Sequence, residues 1–176
     1  YARRYGIPIH VRSSFSHKEG TLVTDQPAPE GDPVEAPIIA GVAHDRSEAK
    51  ITVVGVPDRT GMAATIFAAI AEAGINIDMI VQNVSATDTG LTDISFTLPK
   101  TEGHAAMQAL QQIQDQVGFV SLQYDDQIGK LSVVGAGMRT HSGVSAILFE
   151  ALSKTGINIE MISTSEIRIS VITRDD

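Results

Sequence analysis

The sequence lacks cysteine and tryptophan altogether, and these absences exclude several functional classes before any motif is considered. Without cysteine the chain has no disulfide framework, no thiolate metal ligand and no cysteine nucleophile. Aromatic residues make up only 5% of the 176 residues, which leaves few side chains to stack on nucleic-acid bases. No apolar run approaches the roughly 20 residues that a membrane-spanning helix needs. We therefore expect neither a nucleic acid nor a membrane as a partner.

Positive charge is also scarce. The chain has 13 Lys and Arg against 21 Asp and Glu, a net charge of −8, whereas neutralising phosphates needs clustered cations. Hydrophobic residues make up 43%, enough to build a packed core. A chain without cysteine is compatible with a reducing cytosol, and we expect a cytoplasmic location. The first residue is Tyr1 rather than Met, which predicts that the sequence starts inside a longer gene product.

The sequence contains an internal repeat. Residues 51–55 read ITVVG and residues 131–135 read LSVVG. Residues 74–80 read GINIDMI and residues 156–162 read GINIEMI. Two ordered matches at nearly the same separation predict two modules of about 80 residues each.

The first repeat predicts the element order β-α-β-β-α-β, which is the ferredoxin-like arrangement. Strands are predicted from β-branched or alternating apolar runs at 51–56, 75–82, 92–98 and 119–124. One helix is predicted from Ala63 to the Gly74 that ends it, and a second after Thr101, a plausible N-cap. The apolar stripe of the second helix is formed by Ala106, Leu110, Ile113 and Val117.

The second repeat starts in the same way but is shorter. It predicts strands at 131–136, 157–162 and 167–172 and one helix that ends at Gly156, and its second helix and fourth strand are missing. We interpret the end at Asp176 as truncation or disorder. We predict that the apolar segment Pro37–Ala43 forms a strand that pairs with the open edge of this module's sheet and so connects the two modules.

The predicted fold class is therefore α+β, with two ferredoxin-like βαββαβ modules, the second completed by an N-terminal strand. Residues 50–127 form the first module, and residues 38–46 together with 128–176 form the second. Residues 1–37 precede both, and the last part of that range is a proline-rich linker.

The strand-to-helix loop of the first module, Asp58-Arg59-Thr60-Gly61-Met62-Ala63, is the sharpest candidate for chemistry. A helix N-terminus offers free N–H groups and a partial positive charge to a carboxylate, while Asp58 can pair with an ammonium group. Together these groups would recognise an α-amino acid. The alternative is a plain turn in which Asp58 caps the helix. Gln82, at the end of its strand, either reaches a small polar ligand or faces solvent.

Other motifs predict no further chemistry. The second loop, Met138–Gly143, lacks the aspartate, and Gly135-Ala136-Gly137 lacks the third glycine of a dinucleotide fingerprint. The five histidines are scattered without ligand spacing. We expect no catalytic residue, no metal site and no cofactor in this chain.

Several longer stretches resemble a known family, the regulatory region of aspartokinase with its tandem ACT domains, as in the small subunit of the heterotetrameric actinobacterial type. The stretches that carry the resemblance are Gly41–Asp45, Asn76–Ser85, Tyr124–Asp126, Gly129–Lys130 and Asn158–Val171. Tyr5–Ser14 looks like the end of the kinase domain that precedes these modules in the family.

The resemblance implies a regulatory function. The family phosphorylates aspartate with ATP, but the glycine-rich, lysine-bearing start of the kinase domain is absent from this sequence. ATP and magnesium would therefore belong to a catalytic aspartokinase chain. This chain would bind L-threonine and L-lysine, inhibit that partner by feedback, and pair with itself as a homodimer through its ACT modules.

The family's effector contacts can be carried over by position onto both modules. In the first module they fall on Asp58, Gly61, Met62, Ala63, Asn76, Ile77, Asp78 and Gln82. In the second they fall on Ser145, Asn158, Ile159, Ser165 and Glu166. Three other interpretations are kept: the regulatory region of another amino-acid biosynthetic enzyme, an RNA-binding ferredoxin-like sheet, and a small enzyme of the acylphosphatase kind.

Overall fold

The computed structural model describes residues 1–24, 39–83, 89–135 and 143–175. The chain divides into two units, Tyr1–Ala36 and Pro37–Asp176. The first unit holds a short 3-10 turn and an antiparallel hairpin of β1 (Ile9–Val11) and β2 (Thr21–Val23). The sequence of Tyr5–Phe15 indicates one short strand, which corresponds to β1, whereas β2 lies outside that segment.

The second unit contains two four-stranded antiparallel sheets and four helices among its described residues. The strands are β3 (Gly41–Asp45), β4 (Glu48–Pro57), β5 (Ile80–Asn83), β6 (Leu91–Pro99), β7 (Ser121–Asp125), β8 (Ile128–Val134), β9 (Ile159–Thr164) and β10 (Arg168–Arg174). The helices are α1 (Met62–Glu72), α2 (Gly103–Gln112), α3 (Gln114–Val117) and α4 (Val144–Lys154). The predicted α+β class is confirmed.

The first sheet has the strand order β5-β6-β4-β7, and α1, α2 and α3 supply the rest of its core. Alternate residues of β4 and β6 point to one side, where the rings of Phe67 and Phe96 meet edge to face with centroids 5.6 Å apart. The buried cluster on that side consists of Ile51, Val53, Val56, Ile66, Ile70, Ile75, Ile94, Phe96, Leu98, Ala106, Leu110, Val117 and Phe119.

The second sheet has the strand order β3-β8-β10-β9. Its module contains one helix among the described residues, α4, which buries Val144 and Leu152. The N-terminal strand predicted to complete this module is present as β3, which pairs antiparallel with β8 and sets Asp45 opposite Lys130.

The two edge strands lie where the sequence predicted them, one at the edge of each sheet. β3 leads through a turn into β4 but pairs with β8, whereas β7 leads through an equivalent turn into β8 but pairs with β4. Both turns are closed by an aspartate: Asp45 Oδ1 accepts the Ser47 N–H at 2.7 Å, and Asp125 Oδ1 accepts the Gln127 N–H at 3.0 Å. Each sheet is therefore completed by the strand that precedes the other module.

Two predicted elements differ from the structure. The strand predicted from Ile75 begins only at Ile80. Ile75 and Met79 are buried, but they belong to a segment that is not a strand. Thr101 does not cap the second helix; it lies in a 3-10 turn, and α2 begins at Gly103 without a side-chain cap. A Cβ at Gly103 would lie 2.5 Å from the ring of Tyr124, so this close packing requires glycine.

The second helix also breaks at Ile113, where α2 gives way to the short α3. The sequence Asp88-Thr89-Gly90 indicates a hairpin turn before β6, but Asp88 lies outside the described residues. Within the described part of the chain, no helix is both long enough and apolar enough to cross a membrane.

Candidate functional site

The loop between β4 and α1 forms one wall of a cavity of about 330 Å³. The opposite wall comes from Gln82 on β5 and from Thr92 and Ile94 on β6. The structure thus brings together five residues that the sequence analysis proposed as effector contacts in this module: Asp58, Gly61, Met62, Ala63 and Gln82. The volume suits a single amino acid.

A β-bulge directs the end of β4 into this loop. The pairing of β4 with β6 shifts register between Val53 and Val56, and Gly55 within the bulge has φ +68°. Its N–H donates to the Asp93 carboxylate at 2.8 Å, and the Asp58 N–H donates to the Gly90 carbonyl at 2.8 Å. These two bonds hold the loop against β6.

Helix α1 begins at this cavity without a side-chain cap. Its N-cap is Gly61, at φ +97°, and no side chain hydrogen-bonds to the cap. The alternative in which Asp58 caps the helix is therefore wrong. An uncapped helix N-terminus keeps unpaired N–H groups and a partial positive charge, which favour a carboxylate.

Thr92 was not among the site residues predicted from the sequence. This side chain is 4% exposed, lines the cavity, and its Oγ1 has no hydrogen-bond partner. A buried hydroxyl without a partner costs free energy unless a ligand or water supplies the bond. The available signal was its position: Thr92 precedes Ile94, Phe96 and Leu98 in the alternation that faces the core.

The segment before β5 divides its side chains between two surroundings. Ile77 packs against the core of the first sheet, and Asn76 is exposed. Asp78 reaches the second module, where its carboxylate lies 2.8 Å from Lys130 Nζ and 3.7 Å from Arg168. The hydrogen bond from Lys130, together with the charges of Lys130 and Arg168, lowers the pKa of Asp78. The predicted effector contact of Asp78 stays a prediction.

The predicted contacts of the second module lie at the start of α4 and at the two ends of β9. Ser145 is in the first turn of α4, and Asn158 and Ile159 are at the beginning of β9. Ser165 and Glu166 form the turn before β10, where the Ser165 N–H donates to the Arg168 carbonyl at 2.7 Å. The loop that would face them falls on residues 136–142, outside the described residues.

A second, polar cavity of about 600 Å³ lies between the two modules. Its charged residues pair with one another: Lys50 with Glu160, and Arg174 with Asp125 at 2.7 Å and with Glu160 at 2.9 Å. These pairs leave no charge of the cavity unmatched. In the described part of the chain, no group of three or more His, Asp and Glu side chains is placed to hold a metal ion.

Comparison with known proteins identifies several relatives. The ACT domain family model matches residues 51–114 and 131–176. The chain is 55% identical over 175 residues to the aspartokinase of Mycobacterium tuberculosis strain H37Rv, a match that covers 99% of this chain and 41% of the relative. The chain thus spans about two fifths of the length of the curated relatives that it matches.

Two solved structures are similar over most of their own length. A crystal structure of aspartokinase alpha and beta subunits is 45% identical with a TM-score of 0.72, covering 78% of this chain and 88% of that one. The ligand-free regulatory subunit of aspartate kinase from Thermus thermophilus is 40% identical with a TM-score of 0.73, covering 79% and 90%. Both therefore share the paired sheets described above.

Proposed function

Since this chain belongs to the ACT domain family as an aspartokinase-type regulatory region, we propose that it binds free amino acids and inhibits a catalytic aspartokinase partner by feedback. In this proposal the effectors are L-threonine and L-lysine, and the chain works in the cytoplasm. Phosphorylation of aspartate, with its ATP and magnesium, belongs to the catalytic partner, and the chain itself contributes no catalytic residue and no cofactor.

The observation that carries the proposal is the cavity beside α1, which the loop Asp58–Ala63, Gln82 and Thr92 line together. This cavity offers a carboxylate, Asp58, for an ammonium group and the uncapped N-terminus of α1 for a carboxylate. Gln82 and Thr92 can then hydrogen-bond to a polar side chain of the ligand. A small hydroxy amino acid such as threonine uses each of these groups once.

The second module offers different chemistry, which supports a different effector. Ile167 stands where Thr92 stands in the first module, three residues before the serine that pairs with the first strand of its sheet. We assign the lysine effector to this module, with Ser145, Asn158, Ile159, Ser165 and Glu166 as its contacts. The Glu166 carboxylate is the group that would face the lysine ammonium.

The proposal includes two macromolecular partners, a second copy of this chain and the catalytic aspartokinase chain. An effector bound between modules of two chains contacts both and can favour one arrangement of the pair over another. We expect sedimentation to give a homodimer. A monomer at all concentrations, with and without threonine, would contradict this part of the proposal.

The test is isothermal titration of the chain with L-threonine, for wild type, Thr92→Val and Thr155→Val. Valine keeps the shape of threonine and removes only the hydroxyl, and Thr155 supplies the matched control because its hydroxyl bonds within the end of α4. We expect Thr92→Val to weaken threonine binding about three- to tenfold, the effect of one neutral hydrogen bond. Absence of binding by the wild type, or equal affinities for all three, would overturn the proposal.

A further inference from the structure

The two modules contact each other through residues at equivalent positions of the repeat. Each lysine lies opposite the aspartate of the neighbouring edge strand: Lys50 opposite Asp125 of β7, and Lys130 opposite Asp45 of β3. Lys130 binds Asp78 of the first module at 2.8 Å, and Lys50 binds Glu160 of the second. Because Asp78 and Glu160 occupy the same place in GINIDMI and GINIEMI, the two cross-module ion pairs are related by the repeat.

The surroundings of the two pairs repeat in part. The methionine after each acid, Met79 or Met161, is buried, and both belong to one apolar cluster with Ile128 and Ile172. Each sheet also carries a cross-strand hydroxyl pair at matching positions, Thr52 with Ser95 and Ser132 with Ser170, each at 2.8 Å. The interface is therefore an internal pseudo-twofold contact.

Both lysines are largely withdrawn from solvent. The side chain of Lys130 is 13% exposed and that of Lys50 is 18% exposed. Three further charges complete the two clusters: Glu48 on Lys130, Arg168 on Asp78 and Arg174 on Glu160. Burial weakens screening by water and salt, so a displaced partner leaves an uncompensated charge behind.

We propose that these two crossed lysine–carboxylate pairs are the contacts that couple the effector segments of the two modules. Each pair ties the segment N-I-(D/E) of one module to the first long strand of the other. Asp78 directly follows Asn76 and Ile77, and Glu160 directly follows Asn158 and Ile159, which are the proposed effector contacts. Glu160 and the two lysines are thus positioning residues, and Asp78, itself a predicted effector contact, also positions the segment. This inference rests on the proposed function for the identity of the ligands.

The coupling follows from the geometry. A ligand that moves one segment must move its acid relative to the lysine of the other module, and that lysine is anchored in the other sheet. Because the arrangement is reciprocal, the shift is transmitted in both directions, as a coupling free energy between two sites requires. A neutral residue at either lysine should release the segment of the opposite module.

Hydrogen exchange tests the crossed arrangement without any ligand. We expect Lys130→Met to speed exchange about fivefold or more at the amides of Asp78 and Thr97, which bond the segment to β6, and to leave residues 159–162 unchanged. Lys50→Met should do the reverse. Lys154→Met, which removes an exposed pair within α4, is the matched control. Equal loosening of both segments, or change confined to the substituted strand, would overturn the inference.

Two isosteric variants guard against a variant that fails to fold, since Asp78→Asn and Glu160→Gln remove the charge and keep the shape. They should reproduce the exchange patterns of Lys130→Met and Lys50→Met respectively. Hydrogen exchange at wild-type rates in both of these variants would also overturn the inference.

Titration then separates this inference from the proposed function. With wild type we expect L-lysine to change the threonine affinity about five- to fiftyfold, within the usual range for coupled sites. In the double variant Lys50→Met, Lys130→Met the two affinities should become independent within about twofold, while each ligand alone still binds. Undiminished coupling in the double variant would overturn the inference and leave the proposed function standing. If wild type binds neither amino acid, the proposed function fails, and the exchange result alone decides on the ion pairs.

Discussion

The two modules are built from one repeat, yet their cores differ. The first sheet is packed with three helices, and its buried cluster draws residues from β4, β6, α1, α2 and α3. The described part of the second module has α4 alone, and it leaves Val42 on its edge strand 65% exposed and Ile147 on α4 67% exposed. The same strand–helix–strand pattern therefore gives a closed core in one module and a partly open one in the other.

The contact between the modules shows the opposite tendency. There each module contributes a lysine, a carboxylate and a buried methionine from equivalent positions of the repeat. Packing on the helix side thus differs, whereas these contacts between the modules recur in both repeats. We interpret the first module as the stable frame and the shared interface as the part common to both.

The largest expected effect separates the two cores. Ile70 and Leu152 occupy equivalent positions on α1 and α4, nine residues after the N-cap glycine, and both are buried. Ile70→Ala should cost about 2–5 kcal/mol of unfolding free energy, because the helices around it prevent the cavity from collapsing. Leu152→Ala should cost less, because its more open surroundings can relax. Urea unfolding followed by circular dichroism measures both, and a larger loss for Leu152→Ala would contradict the comparison.

A smaller effect distinguishes the two helix starts. Gly61 and Gly143 cap α1 and α4 at φ +97° and +103°, and a Cβ would meet no atom within 4 Å at either. Alanine at each position should therefore cost about 1–3 kcal/mol from backbone strain alone, and by similar amounts. Only Gly61→Ala should also weaken threonine binding, because only Gly61 lines the cavity that contains Thr92. Equal effects on threonine affinity would place the ligand elsewhere.

Much of this fold can be predicted from the sequence because the repeat is visible at two places. Apolar alternation locates β4 and β6, and the run of Ala63, Ile66, Phe67 and Ile70 locates α1. The two edge strands could be predicted as well, but the matching aspartate turn beside each of them could not, because the similarity of the turns depends on side-chain hydrogen bonds. Asp45 and Asp125, 80 residues apart and each followed five residues later by a lysine, were the available signal.

The site was predicted in part for a similar reason. The loop Asp58–Ala63 follows from turn chemistry and from the family resemblance, so its residues could be named in advance. Thr92 could not be predicted as a site residue, because a threonine on the buried side of a strand usually has a hydrogen-bond partner. Only the structure shows that its Oγ1 has none. The segment before β5 reads as strand, but tertiary packing of Ile75 and Met79 overrides that local preference.

The smallest expected effect is a difference in how two carboxylates make the folding stability depend on pH: Asp78 at the contact between the modules and Asp45 on the edge strand β3. The pKa of Asp78 is lowered first by its hydrogen bond with Lys130, and that of Asp45 by its hydrogen bonds with the Ser47 side chain and backbone. A carboxylate with a lowered folded-state pKa adds stability that is present above its unfolded pKa, about 3.9, and is lost as pH falls through the folded value. At Lys130 burial lowers the pKa, but the Asp78 and Glu48 carboxylates outweigh it and raise the pKa, so stability from this group is lost as pH rises through the raised value.

We therefore expect Asp78→Asn to flatten the loss of stability below about pH 4 and to remove part of the loss at alkaline pH, because Lys130 loses one of its two carboxylates. Asp45→Asn should flatten the acid side and change the alkaline side less than Asp78→Asn does, since Asp45 bonds to the uncharged groups of Ser47 and interacts with Lys130 only through its charge. Unfolding midpoints in urea between pH 3 and 11 measure both curves against wild type. If Asp78→Asn gives a curve parallel to wild type at the alkaline end, then the raised pKa of Lys130 does not depend on Asp78, and this ion pair does not stabilise the contact between the two modules.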